Sequence, residues 1–173
     1  MYGGHIGIAL AGKGYRSTIP LWLLVFATQL PDWADAAVCT WKKDPSEMLS
    51  HSIPAVVVLA AVLALLYYGA VRDWRSSALV AVIVGSHAVA DYATGLKPTW
   101  PGGPYIGAQL YHRPALDFVV EAAVIVIGWV VYRRSLPQGR RHSPASISLL
   151  VCLLLLQLAA SISFWLYPGT SKC

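Results

Sequence analysis

The feature that most restricts this chain is the recurrence of long, uninterrupted apolar runs. They fall at about 18–37, 53–71, 76–95, 115–132 and 146–167. Each is near the roughly 20 residues that an α-helix needs to cross about 30 Å of hydrocarbon. Inside a bilayer every backbone N–H and C=O must be satisfied within the segment, and for runs of this length the helix is the solution. The expected fold is therefore an all-α integral membrane protein, with about five transmembrane helices in a single bundle covering 1–173 as one domain. A shorter apolar stretch, Gly3 to Gly12, is too brief to span and is expected as a half-length or re-entrant helix sheltered by the others.

Composition agrees, since 57% of residues are hydrophobic and 12% are charged, against about 25% charged in soluble domains. A net charge of +5 would suit a nucleic-acid binder. Here, however, the basic residues lie in short clusters between apolar runs, where membrane topology accounts for them, and no nucleic-acid partner is expected. The densest cluster is Arg133, Arg134, Arg140 and Arg141, which assigns the loop 133–144 to the cytoplasmic side of an inner (cytoplasmic) membrane. Alternation then brings Arg72, Arg75, Lys13 and Arg16 to the same side. The first residues carry no basic n-region or long apolar core of a secretory signal, so the helices themselves are expected to direct insertion. Pro20, Pro54 and Pro114 sit where first helical turns belong, and the Gly- and Pro-rich segment 96–114 is not helical throughout. Cys39, Cys152 and Cys173 form no CxxC pair, which excludes a zinc ribbon or dithiol redox motif. Cys39 and Cys173 fall on the same outer side and are a candidate disulfide.

Against this apolar background the polar residues stand out. Five of the eight acidic residues, Asp32, Asp35, Asp91, Asp117 and Glu121, lie in or at the ends of the expected spans, where a charge is costly and usually functional. Four histidines, His5, His51, His87 and His112, all map to the outer ends of helices, and His142 alone maps to the arginine loop. His87 and Asp91 are four apart, so imidazole and carboxylate share one helix face and can chelate an ion. The same spacing also suits a neutral histidine hydrogen-bonded to a carboxylate. Pro31-Asp32-Trp33-Ala34-Asp35 presents two carboxylates at a helix terminus, either as ligands or as caps. In Ser50-His51-Ser52 a serine suffices for capping, so His51 asks for another role. Asp117 and Glu121 are a like-charged i,i+4 pair that needs a cation, a shared proton or an ion pair with Arg113. Arg113, at the outer edge, is a candidate contact for a substrate phosphate.

Imidazole with carboxylate and no thiolate suits a divalent metal, zinc first, with manganese or iron as alternatives. A carboxylate left over from coordination serves as general base, and Asp32, Asp35 and Glu121 are the candidates. Such a site at the outer headgroup layer meets phosphoesters of lipids or lipid-linked molecules, and hydrolysis is the chemistry that fits.

The order of these motifs also carries a resemblance. His5, then Leu30-Pro31-Asp32, then Ser50-His51-Ser52, then Ser86-His87-Ala88-Val89-Ala90-Asp91-Tyr92-Ala93-Thr94-Gly95 resembles the bacterial membrane-bound metal-dependent hydrolases, the YdjM-like proteins, over roughly residues 5 to 95. That family is distantly similar to zinc-dependent phospholipase C and the fungal zinc nucleases. The resemblance implies His5, Asp32, His51, His87 and Asp91 as metal ligands and phosphoester hydrolysis as the reaction. The family's His-Arg-Gly-x-Thr-His-Ser pattern is reduced here to Ser-His51-Ser, and the soluble enzymes' later His-xxx-Glu pair has no match. Four usable histidines point to one or two ions, with His112, Asp117 and Glu121 as candidates for a second. Two other classes compete. A cation or proton transporter would distribute polar residues through the full depth, whereas Val58 to Leu66 and Val124 to Val131 are uniformly apolar. A non-catalytic assembly protein would use the cluster only to staple helices.

Overall fold

The computed structural model describes residues 3–42 and 49–166. In chain order the elements are α1 (Gly3–Tyr15), α2 (Leu21–Thr28), α3 (Leu30–Lys42), a 3-10 turn (Leu49–His51), α4 (Ile53–Val71) and α5 (Trp74–Thr94). They continue with β1 (Lys97–Pro98), β2 (Tyr105–Ile106), a second 3-10 turn (Leu110–His112), α6 (Pro114–Ser135), α7 (Gln138–Arg141) and α8 (Pro144–Leu166). The architecture is all-α, and the two strands form one small antiparallel hairpin.

Among the described residues four stretches are long and apolar enough to cross a membrane: α4, α5, α6, and Gln138–Ser163, which is α7 with most of α8. The fifth expected span, 18–37, is instead two helices that break at Gln29, whose backbone leaves the helical region. Pro31 explains the break. In a continuous helix it would lack the N–H for Ala27 and press its ring against that carbonyl, whereas in the first turn of α3 its missing donor costs nothing. With 8 residues α2 is too short to span. Most of α3 is exposed, including Trp33 and Trp41, as suits a helix at the membrane interface. Outward-facing Val57, Val58, Val62, Leu65 and Leu66 on α4 give that helix an apolar surface matched to lipid.

The 13 residues of α1 reach only about 20 Å, so this helix does shelter among the others. Its glycines set the contact. A Cβ on Gly7 would meet the backbone of Val124 and Ile125 at 2.7–2.9 Å, one on Gly14 would meet Val131 and Tyr132 at 2.7–2.8 Å, and one on Gly128 of α6 would overlap the Gly7 carbonyl. Small residues let the backbones close on one another, which is how helices associate where lipid removes any hydrophobic drive. The start of α1 is buried, and its orphan amides find side chains: Gly3 N donates to Gln157 Oε1 at 2.8 Å and Gly4 N to Glu121 Oε2 at 3.1 Å. Two apolar cores flank α1. One joins Ala9, Leu24, Ala27, Val56, Val80 and Val84; the other joins Leu10, Ile125, Trp129 and Leu153.

At the other end of α1, Arg16 Nη2 lies 2.6 Å from Asp73 Oδ2 in the turn between α4 and α5. Asp73 also accepts from Ser76 Oγ at 2.6 Å and from Arg75 N at 3.1 Å, capping α5. The Ser76 hydroxyl and then the Arg16 guanidinium hold its carboxyl down at about 2. Cys152 is an exposed free thiol, and Cys39 is disulfide-bonded. Cys173 lies outside the described residues, and so does its expected pairing with Cys39.

Two outcomes follow from this packing. Gly7→Leu should lower the melting temperature in detergent by the equivalent of at least about 2 kcal/mol, while Gly69→Ala, with nothing within 4 Å, should leave it unchanged or slightly higher. Asp73 is depressed from 3.8 to about 2, so its contribution is full above pH 4 and fades as pH falls toward 2. The gap in melting temperature between wild type and Asp73→Asn should therefore be present at pH 7 and shrink toward pH 2.

Candidate metal centre

The break after α2 leaves the Thr28 carbonyl without a helical partner, and His87 Nδ1, from the middle of α5, approaches it to 2.6 Å. A carbonyl only accepts, so Nδ1 carries a proton, which in a neutral ring puts the lone pair on Nε2. That Nε2 is buried and, among the described residues, has no hydrogen-bond partner. It faces oxygen on two sides, with Asp91 Oδ2 at 3.2 Å and Asp32 Oδ1 at 3.8 Å.

His51 is fixed in the same manner from the other direction. The 3-10 turn delivers it beneath α3, where Nδ1 lies 2.8 Å from Asp35 Oδ2 and 3.2 Å from Ser50 Oγ. Its Nε2 lies 3.0 Å from Asp32 Oδ1 and 3.3 Å from Asp91 Oδ2. The Ser50 hydroxyl in turn donates to the Pro31 carbonyl at 2.8 Å, tying the turn to α3. Burial opposes ionisation of Asp32 and Asp35, but hydrogen bonds from His51 outweigh it and keep both carboxyls below their usual range. Burial likewise opposes protonation of His51, and its bonds to Asp32 and Asp35 prevail and raise it.

One donor atom each from Asp32, His51, His87 and Asp91 thus lies within 4.8 Å of the others. This group can hold a metal ion. Two nitrogen or oxygen ligands about 2.0–2.1 Å from a tetrahedral ion stand roughly 3.3 Å apart. The pairs measured here, at 3.0, 3.2, 3.3 and 3.8 Å, bracket that separation. Each imidazole also has its second nitrogen on an oxygen acceptor, the outer-shell arrangement that orients metal-bound histidines.

His5 adjoins the group without entering it. It is fully buried, stacks on His87 with ring centroids 4.1 Å apart, and places Nε2 3.3 Å from Asp91 Oδ1, the oxygen turned away from the other two histidines. Asp35 stands behind His51. Glu121 engages the start of α1 through Gly4, as described above. Asp117 is buried in the first turn of α6, with Oδ1 lacking a hydrogen-bond partner among the described residues. His112 and Arg113 are exposed just before α6. None of Asp35, Glu121, Asp117 and His112 belongs to the converging group of four among the described residues.

Sequence reasoning missed Lys97, Thr28 and Gln157. Lys97 Nζ lies 3.1 Å from Asp91 Oδ2, delivered by the β1–β2 hairpin. Thr99 on that hairpin accepts from Ile53 N at 3.0 Å, and the Pro98 carbonyl accepts from Tyr92 Oη at 2.9 Å. The hairpin is thereby fastened to the start of α4 and the end of α5, beside His51 and Asp91. Gly107, at φ +145°, lies against the Gly95 carbonyl with no room for a Cβ. A lone lysine in a Gly- and Pro-rich loop was the available signal for Lys97; a backbone carbonyl leaves none.

Comparison with family models, with curated proteins and with solved structures gives no match. If the group takes up a divalent ion with Asp35 orienting His51, Asp35→Asn should weaken that uptake by about 10–100-fold with little change in the circular dichroism of the apo protein. Competition titration with a chromophoric chelator measures it.

Proposed function

We propose that this chain is a membrane-embedded, metal-dependent hydrolase of phosphoesters, in the manner its resemblance to the YdjM-like proteins implies. The observation that supports a metal in this reading is His87 Nε2: a buried ring nitrogen, opposite the nitrogen held by the Thr28 carbonyl, facing two carboxylate oxygens. Without a cation or an extra proton between them these lone pairs repel. A divalent ion relieves the arrangement, and imidazole with carboxylate suits zinc first, manganese or iron next.

In this reading Asp32, His51, His87 and Asp91 hold the ion. When bound, it supplies a Lewis acid and a source of hydroxide near neutral pH. His5, on the far oxygen of Asp91, orients that carboxylate, and a second ion, if one binds, would be held there by His5. Asp35 positions His51. Asp32 has a side chain 46% exposed against 4% or less for His51, His87 and Asp91, so substrate approaches past it, and it is the carboxylate able to exchange protons with water. His87 lies seven residues before the end of α5, about 10 Å inside it, a depth suited to the phosphoester of a lipid or lipid-linked molecule. The arginine-rich end of the bundle supports a cytoplasmic placement for itself and hence an outward-facing site.

Elemental analysis of detergent-purified protein after metal loading should find about one equivalent of zinc or manganese per chain, lost in His87→Ala and Asp91→Asn. The loaded protein should cleave a fluorogenic phosphodiester or phospholipid, and chelation should abolish the cleavage. If those substitutions lower the melting temperature while the wild type never takes up metal, the cluster is a helix staple and the reading fails.

A further inference from the structure

The opposite end of the bundle carries a second polar constellation that the hydrolase reading does not use. A concavity of about 280 Å³ is lined by Val130, Arg133, Arg134, Arg141 and His142, where α6 ends and the chain turns through α7. Two of its guanidinium groups are held in place by backbone oxygens. Arg133 Nε donates to the Arg141 carbonyl at 2.8 Å, and Arg141 donates through Nε to the Leu136 carbonyl and through Nη2 to the Arg134 carbonyl, both at 3.0 Å. Arg133 also stacks over Trp129, 4.9 Å from the ring centroid, and its Nη2 meets His142 Nδ1. Each of these two forks keeps unspent N–H donors, and the Arg134 side chain has no hydrogen-bond or ion-pair partner among the described residues.

The cluster has no carboxylate to neutralise it. The chain contains no Asp or Glu after Glu121, and Asp73, at the α4–α5 turn, is occupied by Arg16. A positive-inside bias accounts for how many arginines stand here, but not for their fixation by carbonyls around one concavity. Planar forks of this kind match phosphate oxygens in pairs. The pocket lies at the end of a membrane-length helix, where headgroups are, and the α6 surface leading to it exposes Val126, Ile127 and Val131, a track for an acyl chain.

We propose that the Arg133–Arg134–Arg141 concavity binds the phosphodiester headgroup of an anionic phospholipid, with the acyl chain lying along α6. The site is independent of the metal cluster, and metal content should be unaffected by changes to it.

The test compares the full chain in nanodiscs of phosphatidylcholine alone and of phosphatidylcholine with phosphatidylglycerol or cardiolipin, by melting temperature and by native mass spectrometry. Anionic lipid should raise the melting temperature and remain bound. The double variant Arg134→Gln/Arg141→Gln should bind it at least about tenfold more weakly. Arg134→Lys/Arg141→Lys keeps the charge, and with it the topology, but loses the fork, and should bind several-fold more weakly than wild type. If inorganic phosphate reproduces the full shift, the ligand is a free anion and the lipid assignment is overturned. Equal behaviour in both lipid compositions, or wild-type affinity in the lysine variant, overturns it as well.

Discussion

A helix that stops inside a bundle leaves amides or carbonyls that solvent does not reach, and the described residues include two such ends. The buried start of α1 is answered by Glu121 and Gln157, and the end of α2 by His87. Each answer demands a polar side chain in a neighbouring span, at a depth where one would otherwise be expensive. The bundle is therefore organised around its interruptions. The α2–α3 break supplies the acceptor that selects the His87 tautomer, and it releases α3 to bring Asp32 and Asp35 over His51. The same discontinuity that ends a helix thus builds half of the candidate metal centre.

The centre gathers several ionisable groups in a small volume. Two carboxylates, two imidazoles and the Lys97 ammonium converge within a few ångströms, with His5 stacked alongside. Hydrogen bonding offsets part of the desolvation: Asp35 and Ser50 serve one ring and Thr28 the other. What is left concentrates on Asp91, whose Oδ2 is within 3.3 Å of three nitrogens. This one carboxylate links α5, the 3-10 turn, the hairpin and, through its other oxygen, α1.

Much of this was legible from residue order. Hydropathy located α4, α5, α6 and α8, because long lipid-facing segments have no other way to be written. The i,i+4 spacing of His87 and Asp91, and a histidine flanked by serines that already suffice as caps, pointed to the cluster. The fifth expected span, 18–37, shows where this reasoning stops. An average over 18–37 registers apolar character, whereas the fold there is decided by one imino acid, Pro31, acting on a backbone bond. Glu121 and Asp117 read as a like-charged pair along one helix, and Glu121 also accepts from an amide on α1, more than a hundred residues away in sequence. Lys97 depends on a hairpin register that no periodicity announces.

The uneven exposure of the cluster has a kinetic meaning. Three of its four donors are sealed and one, on α3, opens to the surface of the bundle. An ion seated there would pass the Asp32 carboxylate on entering or leaving. Exchange of a bound ion would then depend on the freedom of that one side chain rather than on the three sealed donors.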